Sequence, residues 1–367
     1  MSILIFIVIL AVLILVHEFG HFIVAKLFGI RVDEFGIGFP PKLWGKKIGE
    51  TEYTVNALPI GGFVRIFGED PSEEKLFNLH KNRNFSHKPK IIQAAVLLAG
   101  VFFNLLLAWG LLTAGLVSGI PASEDEAKLR GSTLERPMTT ITSVTVGSPA
   151  EQAGILTGDS ILGIGVPKNA MLLPTPEQFQ KFIADHPNQE VKVFLKRGYE
   201  VPKVLVTPKN GLLSGRAAIG VSLDTYGTLR LPFFSAVKEG GALTLLYTQM
   251  TFGGLYDLIH DAILGRADLS GVSGPVGIVR IVGDASALGF AHVLILTALI
   301  SINLAVVNVL PIPALDGGRF FFLVIETVRR KSLPPRAVNM ANMIGFAILI
   351  GLIALITFHD IWVILVP

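Results

Sequence analysis

His17, Glu18 and His21 stand in the run His17-Glu18-Phe19-Gly20-His21, which directly follows the apolar stretch Ile3–Val16. On a helix, a spacing of four residues stacks both imidazoles on one face, where they can bind a single Zn2+. Glu18 beside them can take a proton from the water that such a metal activates. Ionisable groups are costly in so apolar a segment and are rarely kept without a function or a partner, and here three fall within five residues. The plainer reading is a hydrogen-bonded polar patch that ties helices together.

Two histidines leave a catalytic zinc one protein ligand short, since such sites usually have three plus a water. Asp316 is the only carboxylate between Ala291 and Ile325. It sits in Asn308-Val309-Leu310-Pro311-Ile312-Pro313-Ala314-Leu315-Asp316-Gly317-Gly318-Arg319, where two prolines and two glycines interrupt the helix. A broken helix is tolerated at membrane depth only where protein or a water-filled cavity satisfies the exposed backbone, as a buried active site does. The competing reading pairs Asp316 with Arg319 at a helix end. His292 and His359 lie near span ends and suit the interface better than a metal.

These residues must be positioned by membrane helices. Of 367 residues, 51% are hydrophobic and 16% charged, a balance that favours a membrane protein. The net charge of +3 is small and its basic residues are dispersed, which argues against nucleic acid as a partner. The chain has no cysteine, so disulfides, thiolate metal sites and a cysteine nucleophile are excluded. Four stretches reach the ~20 residues that a hydrocarbon core of about 30 Å requires. They are Ser2–Ile30, Ile91–Ile120, Ala291–Val328 and Val338–Val366. No basic residue precedes Lys26 and no small-residue cleavage site follows the first run, so it reads as a span rather than a signal peptide.

Residues 26–90 carry 11 Lys and Arg, against 15 in the much longer segment 120–290, and Arg329, Arg330, Lys331 and Arg336 crowd the last turn. Both basic loops are therefore expected in the cytoplasm, with the 120–290 segment outside it. Val32–Phe39 and Thr51–Ile66 alternate apolar and polar residues and predict a β-hairpin, with Pro40-Pro41 and a Lys46-Lys47 turn between them. Ser123–Leu134 is charged without strong periodicity and reads as a linker. Glu177–Ala184 reads as a short helix and Glu190–Leu195 as a strand. Leu231–Leu264 reads as a helix lying on the membrane, with Phe233, Phe234, Tyr247, Phe252 and Tyr256 at the interface.

HEFGH in the first span and NVLPIPALDGG in the third resemble the site-2 protease family of intramembrane zinc metalloproteases, in its bacterial RseP-like branch. The likeness covers nearly the whole chain, including Gly36-Ile37-Gly38-Phe39, the run from Asn56 to Val64, and Ser273-Gly274-Pro275-Val276-Gly277-Ile278. The segment Val144–Ile161 resembles a bacterial PDZ domain with a core at about 137–208. Many members of the branch carry two such domains in tandem, and this chain reads as having one.

The resemblance implies His17, His21 and Asp316 as zinc ligands, Glu18 as general base and acid, and Asn308 as a residue that holds the substrate backbone or oxyanion. A bare Asn in an apolar span equally caps a break or bonds a neighbouring helix. The implied fold is a polytopic α-helical membrane protein of four transmembrane helices, with a membrane-associated β-hairpin and one extracytoplasmic α+β PDZ domain. Its parts are 1–30 (helix with HExxH), 31–90 (cytoplasmic loop with a re-entrant hairpin), 91–120 (second span), 121–230 (linker and PDZ domain), 231–290 (amphipathic surface segment), 291–328 (third span) and 338–366 (fourth span). The implied activity is zinc-dependent endoproteolysis of single-pass membrane substrates, such as anti-sigma factors or remnant signal peptides, in a bacterial inner membrane. The PDZ domain would bind a peptide or regulator, and the active site would lie near the cytoplasmic side. A metal permease would show inverted repeats, which the sequence lacks. A PDZ scaffold would leave HExxH and Asp316 without a reason.

Overall fold

The structure, a computed structural model, describes residues 1–69, 81–167, 169–198, 200–213, 216–266 and 273–365. Residues 70–80 of the expected loop, 267–272 of the expected surface segment and Val366 lie outside the described residues. The chain forms two units, one of Met1–Ala114 with Val237–Pro367 and one of Gly115–Ala236.

Helix α1 (Ser2–Leu27) follows from the unbroken apolar run and ends before Gly29, whose φ of +65° costs glycine nothing. Strands β1 (Val32–Ile48) and β2 (Thr51–Ile66) come next. The expected turn at Lys46-Lys47 is in fact part of β1, where the two lysines stand opposite Tyr53 and Glu52. The chain turns instead at Gly49, with φ +63°, and Glu50 anchors that turn by accepting from Lys26 Nζ at 2.7 Å and Arg83 at 2.5 Å. Glu34, Phe35, Gly36 and Ile37 each face two partners, one among residues 52–55 and one among 62–65. That run therefore lies inside the sheet and leaves the 62–66 segment at an edge. Helix α2 (Lys90–Ser118) then packs close to α1, where a Cβ on Gly20 would come 2.7 Å from the Ala99 carbonyl oxygen.

The second unit contains β3 (Ile120–Ser123), α3 (Glu124–Leu129), β4 (Glu135–Val144), α4 (Pro149–Gln152), β5 (Ser160–Val166), β6 (Asn169–Leu172) and α5 (Pro176–Ala184). It continues through β7 (Val191–Lys196), β8 (Lys203–Val206), β9 (Lys209–Leu213), β10 (Arg216–Ala218) and β11 (Val221–Leu229). One sheet runs β3-β11-β4-β5-β7-β8, with β6 paired to β5. Alternate residues Val191, Val193 and Leu195 point inward with Ile161 and Ile164, onto Phe179, Phe182 and Ile183 of α5. Asp159, 1% exposed, is neutralised by two hydrogen bonds from Arg197 at 2.8 and 2.7 Å. The unit reaches beyond the expected 137–208 core because β11 inserts between β3 and β4. The expected linker carries α3, started by a capping box in which Ser123 Oγ accepts from the Glu126 N–H and Glu126 Oε2 accepts from the Ser123 N–H. Only Ala127 of α3 is buried, which is why no apolar period marked it in the sequence.

The chain returns through α6 (Phe233–Ile263), α7 (Pro275–Leu288), α8 (Phe290–Val309), α9 (Asp316–Arg329) and α10 (Pro335–Leu365). Helix α6 is tied to α2 by a Trp109 Nε1–H donated to the Val237 carbonyl at 2.8 Å, and to α8 by Thr251 and Asn303 at 3.1 Å. The expected third span is two helices, because Pro311 and Pro313 cannot donate backbone hydrogen bonds and stop α8 at Val309. Among the described residues four helices, α1, α2, α8 and α10, are long and apolar enough to cross a membrane, as a polytopic membrane protein requires. Helix α9, at 14 residues, extends only about 21 Å.

Helix α7 is absent from the sequence reading. Its N-terminus is capped by Asp360 of α10, a buried carboxylate that accepts from the backbone N–H of Gly274 at 3.1 Å and of Gly277 at 2.8 Å. Ile278 and Val282 of α7 then pack with Ile9 and Leu13 of α1 and Leu296 and Ile300 of α8. Asp360→Leu leaves two helix-end donors unsatisfied, at about 1–3 kcal/mol each. Amides of residues 278–282 should then exchange at least tenfold faster, and unchanged exchange would show that the cap does not hold α7.

Candidate metal centre

Helix α1 presents His17 and His21 on one face, each 8% exposed, towards α2. His17 Nε2 and His21 Nε2 lie 3.3 Å apart, and Asp316 Oδ2 from the first turn of α9 lies 2.9 Å from the former and 3.2 Å from the latter. Donors of a tetrahedral zinc with bonds of about 2.0–2.1 Å stand about 3.3 Å apart, so this triangle has the dimensions of one face of such a site. His292 and His359 do not join the group among the described residues. Asp316 does not take Arg319 as its partner: Arg319 pairs with Glu69 instead.

Neighbouring groups fix the orientation of both rings. His21 Nδ1–H donates to the Val96 carbonyl at 2.8 Å, which leaves Nε2 free to act as a ligand. His17 Nδ1 lies 3.1 Å from the Asn104 carboxamide, whose own oxygen is buried with no partner among the described residues. Turned by half a rotation, that oxygen accepts the Nδ1–H and leaves His17 Nε2 for the metal. The space between the rings depends on Gly100, where a Cβ would come 2.4 Å from His21 Nε2 and 2.7 Å from His17 Nε2. Two histidine nitrogens, one carboxylate oxygen and a glycine-made space suit Zn2+.

Glu18 is half-buried on the neighbouring face of α1, beside the sheet edge, where a Cβ on Gly62 would stand 3.5 Å from Glu18 Cγ. Asn308 sits in the last turn of α8, partly exposed, and is not hydrogen-bonded to the three ligand candidates among the described residues. The sequence reading missed Asn104, Gly100 and Val96. Asn104 left a signal, as a lone polar residue in the run Val101–Leu107, one helical turn beyond Gly100.

Gly100→Ala should abolish zinc binding while the helices stay folded, because a methyl group would occupy the ligand space. Asn104→Leu should weaken zinc binding about 10–100-fold in chelator competition. Wild-type affinity in both variants would contradict this geometry.

The profile of peptidase family M50 matches residues 5–352. The Clostridium perfringens protein CPE1693, provisionally named a zinc metalloprotease, is 36% identical over 351 residues, covering 95% of each chain. The zinc metalloprotease RasP of Geobacillus kaustophilus is 29% identical over 433 aligned positions, covering 98% of this chain and 97% of its own. The regulator of sigma-W protease RasP of Bacillus subtilis is 28% identical over 432 positions, covering 97% of both. These matches bear out the resemblance that HEFGH and NVLPIPALDGG carry, and the chain belongs to peptidase family M50.

Proposed function

We propose that this protein is an intramembrane zinc metalloendopeptidase that cleaves the transmembrane segments of single-pass membrane proteins in a bacterial inner membrane. The observation that carries the proposal is the triangle of His17 Nε2, His21 Nε2 and Asp316 Oδ2, with sides of 2.9–3.3 Å, in a unit whose helices suit a bilayer. In this reading the three residues hold Zn2+. The ion supplies Lewis acidity towards a water and the scissile carbonyl.

Glu18 accepts the proton of the attacking water at its carboxylate and delivers it to the leaving amide nitrogen, so it acts first as base and then as acid. Its partly exposed position leaves one side open for a substrate. Asn308, partly exposed in the last turn of α8 and not bonded to the ligand group, holds the substrate backbone or the developing oxyanion. A substrate helix hides its peptide bonds, so it must unwind. The edge formed by residues 62–65 lies beside Glu18 and has no second strand paired to it among the described residues, which suits an unwound segment adding as a further strand.

The excess of Lys and Arg in residues 26–90 supports a cytoplasmic sheet and an active site near the cytoplasmic face, with the Gly115–Ala236 unit outside. We read that unit as a single PDZ domain that binds a peptide or regulator. A groove between α5 and β10–β11, lined by Phe179, Ile183, Arg216, Ala218 and Ile219, supports this reading.

Two variants test the roles with a purified membrane-anchored reporter. Glu18→Gln should keep zinc and lose cleavage by at least a thousandfold, and cleavage within tenfold of wild type would remove Glu18 from the mechanism. Asp316→Asn should lose zinc, and undiminished affinity would show that α9 does not complete the site.

A further inference from the structure

Asp316 reaches the histidines only because α8 stops at Val309 and α9 starts again at Asp316, after the loop Leu310–Leu315. The loop folds back tightly. A Cβ on Gly317 would stand 2.2 Å from the Leu310 carbonyl oxygen and 2.3 Å from that of Val309, and one on Gly318 would stand 2.2 Å from that of Ile312. Within the loop Ala314 has φ +79°, a conformation that an L side chain rarely adopts, two residues before the proposed ligand. Such a strained residue persists only where its surroundings over-determine it.

What holds Ala314 comes from α10. Its backbone N–H donates to Asn342 Oδ1 at 3.1 Å. Gly345, three residues further along α10 and on the same face, lets that helix press against the loop: a Cβ there would come 2.3 Å from the Pro313 carbonyl oxygen. The neighbouring residues Met343, Ile344, Phe346 and Ile348 are exposed and apolar, whereas Asn342 shares its face with Asn339 one turn earlier and turns its carboxamide oxygen to the loop.

We infer that Asn342 is a positioning residue for the metal centre, fixing the strained Ala314 turn and, through it, the place of Asp316. The inference rests on the reading of Asp316 as a zinc ligand. It gives α10 a part in the chemistry although no atom of α10 belongs to the triangle. It also separates two properties of Asn342: an acceptor oxygen is required, and the amide nitrogen is not.

The test measures zinc affinity by chelator competition, with cleavage of the anchored reporter alongside, in the full-length protein. Asn342→Leu removes the acceptor and should weaken zinc about tenfold. It should lower kcat more than it raises KM, because Asp316 rather than the substrate surface has moved. Asn342→Asp keeps an oxygen at the same place and should stay within about threefold of wild type. Ala314→Gly placed in the Asn342→Leu background should restore zinc to within about threefold, because glycine adopts φ +79° without help. That rescue also shows that Asn342→Leu failed for a local reason rather than through misfolding.

Asp316→Asn is measured in parallel. If it loses zinc while Asn342→Leu keeps wild-type affinity, the inference is overturned and the ligand assignment stands. A lack of rescue by both Asn342→Asp and Ala314→Gly also overturns the inference. Retention of zinc by Asp316→Asn overturns the ligand assignment and the inference together.

Discussion

The structure depends on one constraint: a carboxylate must meet two imidazoles in an apolar medium, although His17 and Asp316 are 299 residues apart. A charged group at membrane depth is costly unless it is paired or bound to a metal. The approach of Asp316 Oδ2 to both Nε2 atoms answers that cost, and it dictates where α1, α2 and α9 must lie. Two apolar clusters flank the meeting point. One joins Ile9 and Leu13 to α7 and α8, and the other joins Ala25, Val96 and Leu97 to Ile66 and Leu323.

Small residues supply the close approaches. Gly20 lets α2 reach α1, Gly100 leaves the space between the histidines, and Gly317 and Gly318 let the chain fold back over the end of α8. These glycines add no apolar side chain of their own, and what they supply is the close backbone contact through which the helices pack. Larger residues would hold the helices further apart, and the side-chain donors of His17, His21 and Asp316 could not converge. Helix association in lipid works by the same rule, because apolar side chains gain little from leaving lipid for protein.

Much of the site was legible in the sequence because its signals are local. HExxH is a spacing within one helix, and Asp316 stood out as a lone carboxylate beside two prolines and two glycines. Asn104 was harder to see, since its meaning comes from a ring on another helix. Helix α7 escaped for a related reason: its cap, Asp360, lies more than 80 residues beyond Gly274. The β-sheet after α1 was legible as alternation, but its double pairing around Phe35 depends on register, which alternation alone does not specify. Within the Gly115–Ala236 unit, α3 has one buried residue and so no periodic signature, although its capping box Ser123-x-x-Glu126 was there to be read.

The central claim is that a metal binds where α1 and α9 meet. X-ray absorption spectroscopy of the purified full-length protein tests it most directly. One zinc per chain, with two imidazole nitrogens and light oxygen donors in a first shell at about 2.0–2.1 Å, is the predicted result. A protein that binds no zinc, or a zinc whose spectrum retains two imidazoles after His17 and His21 are both replaced, would contradict it.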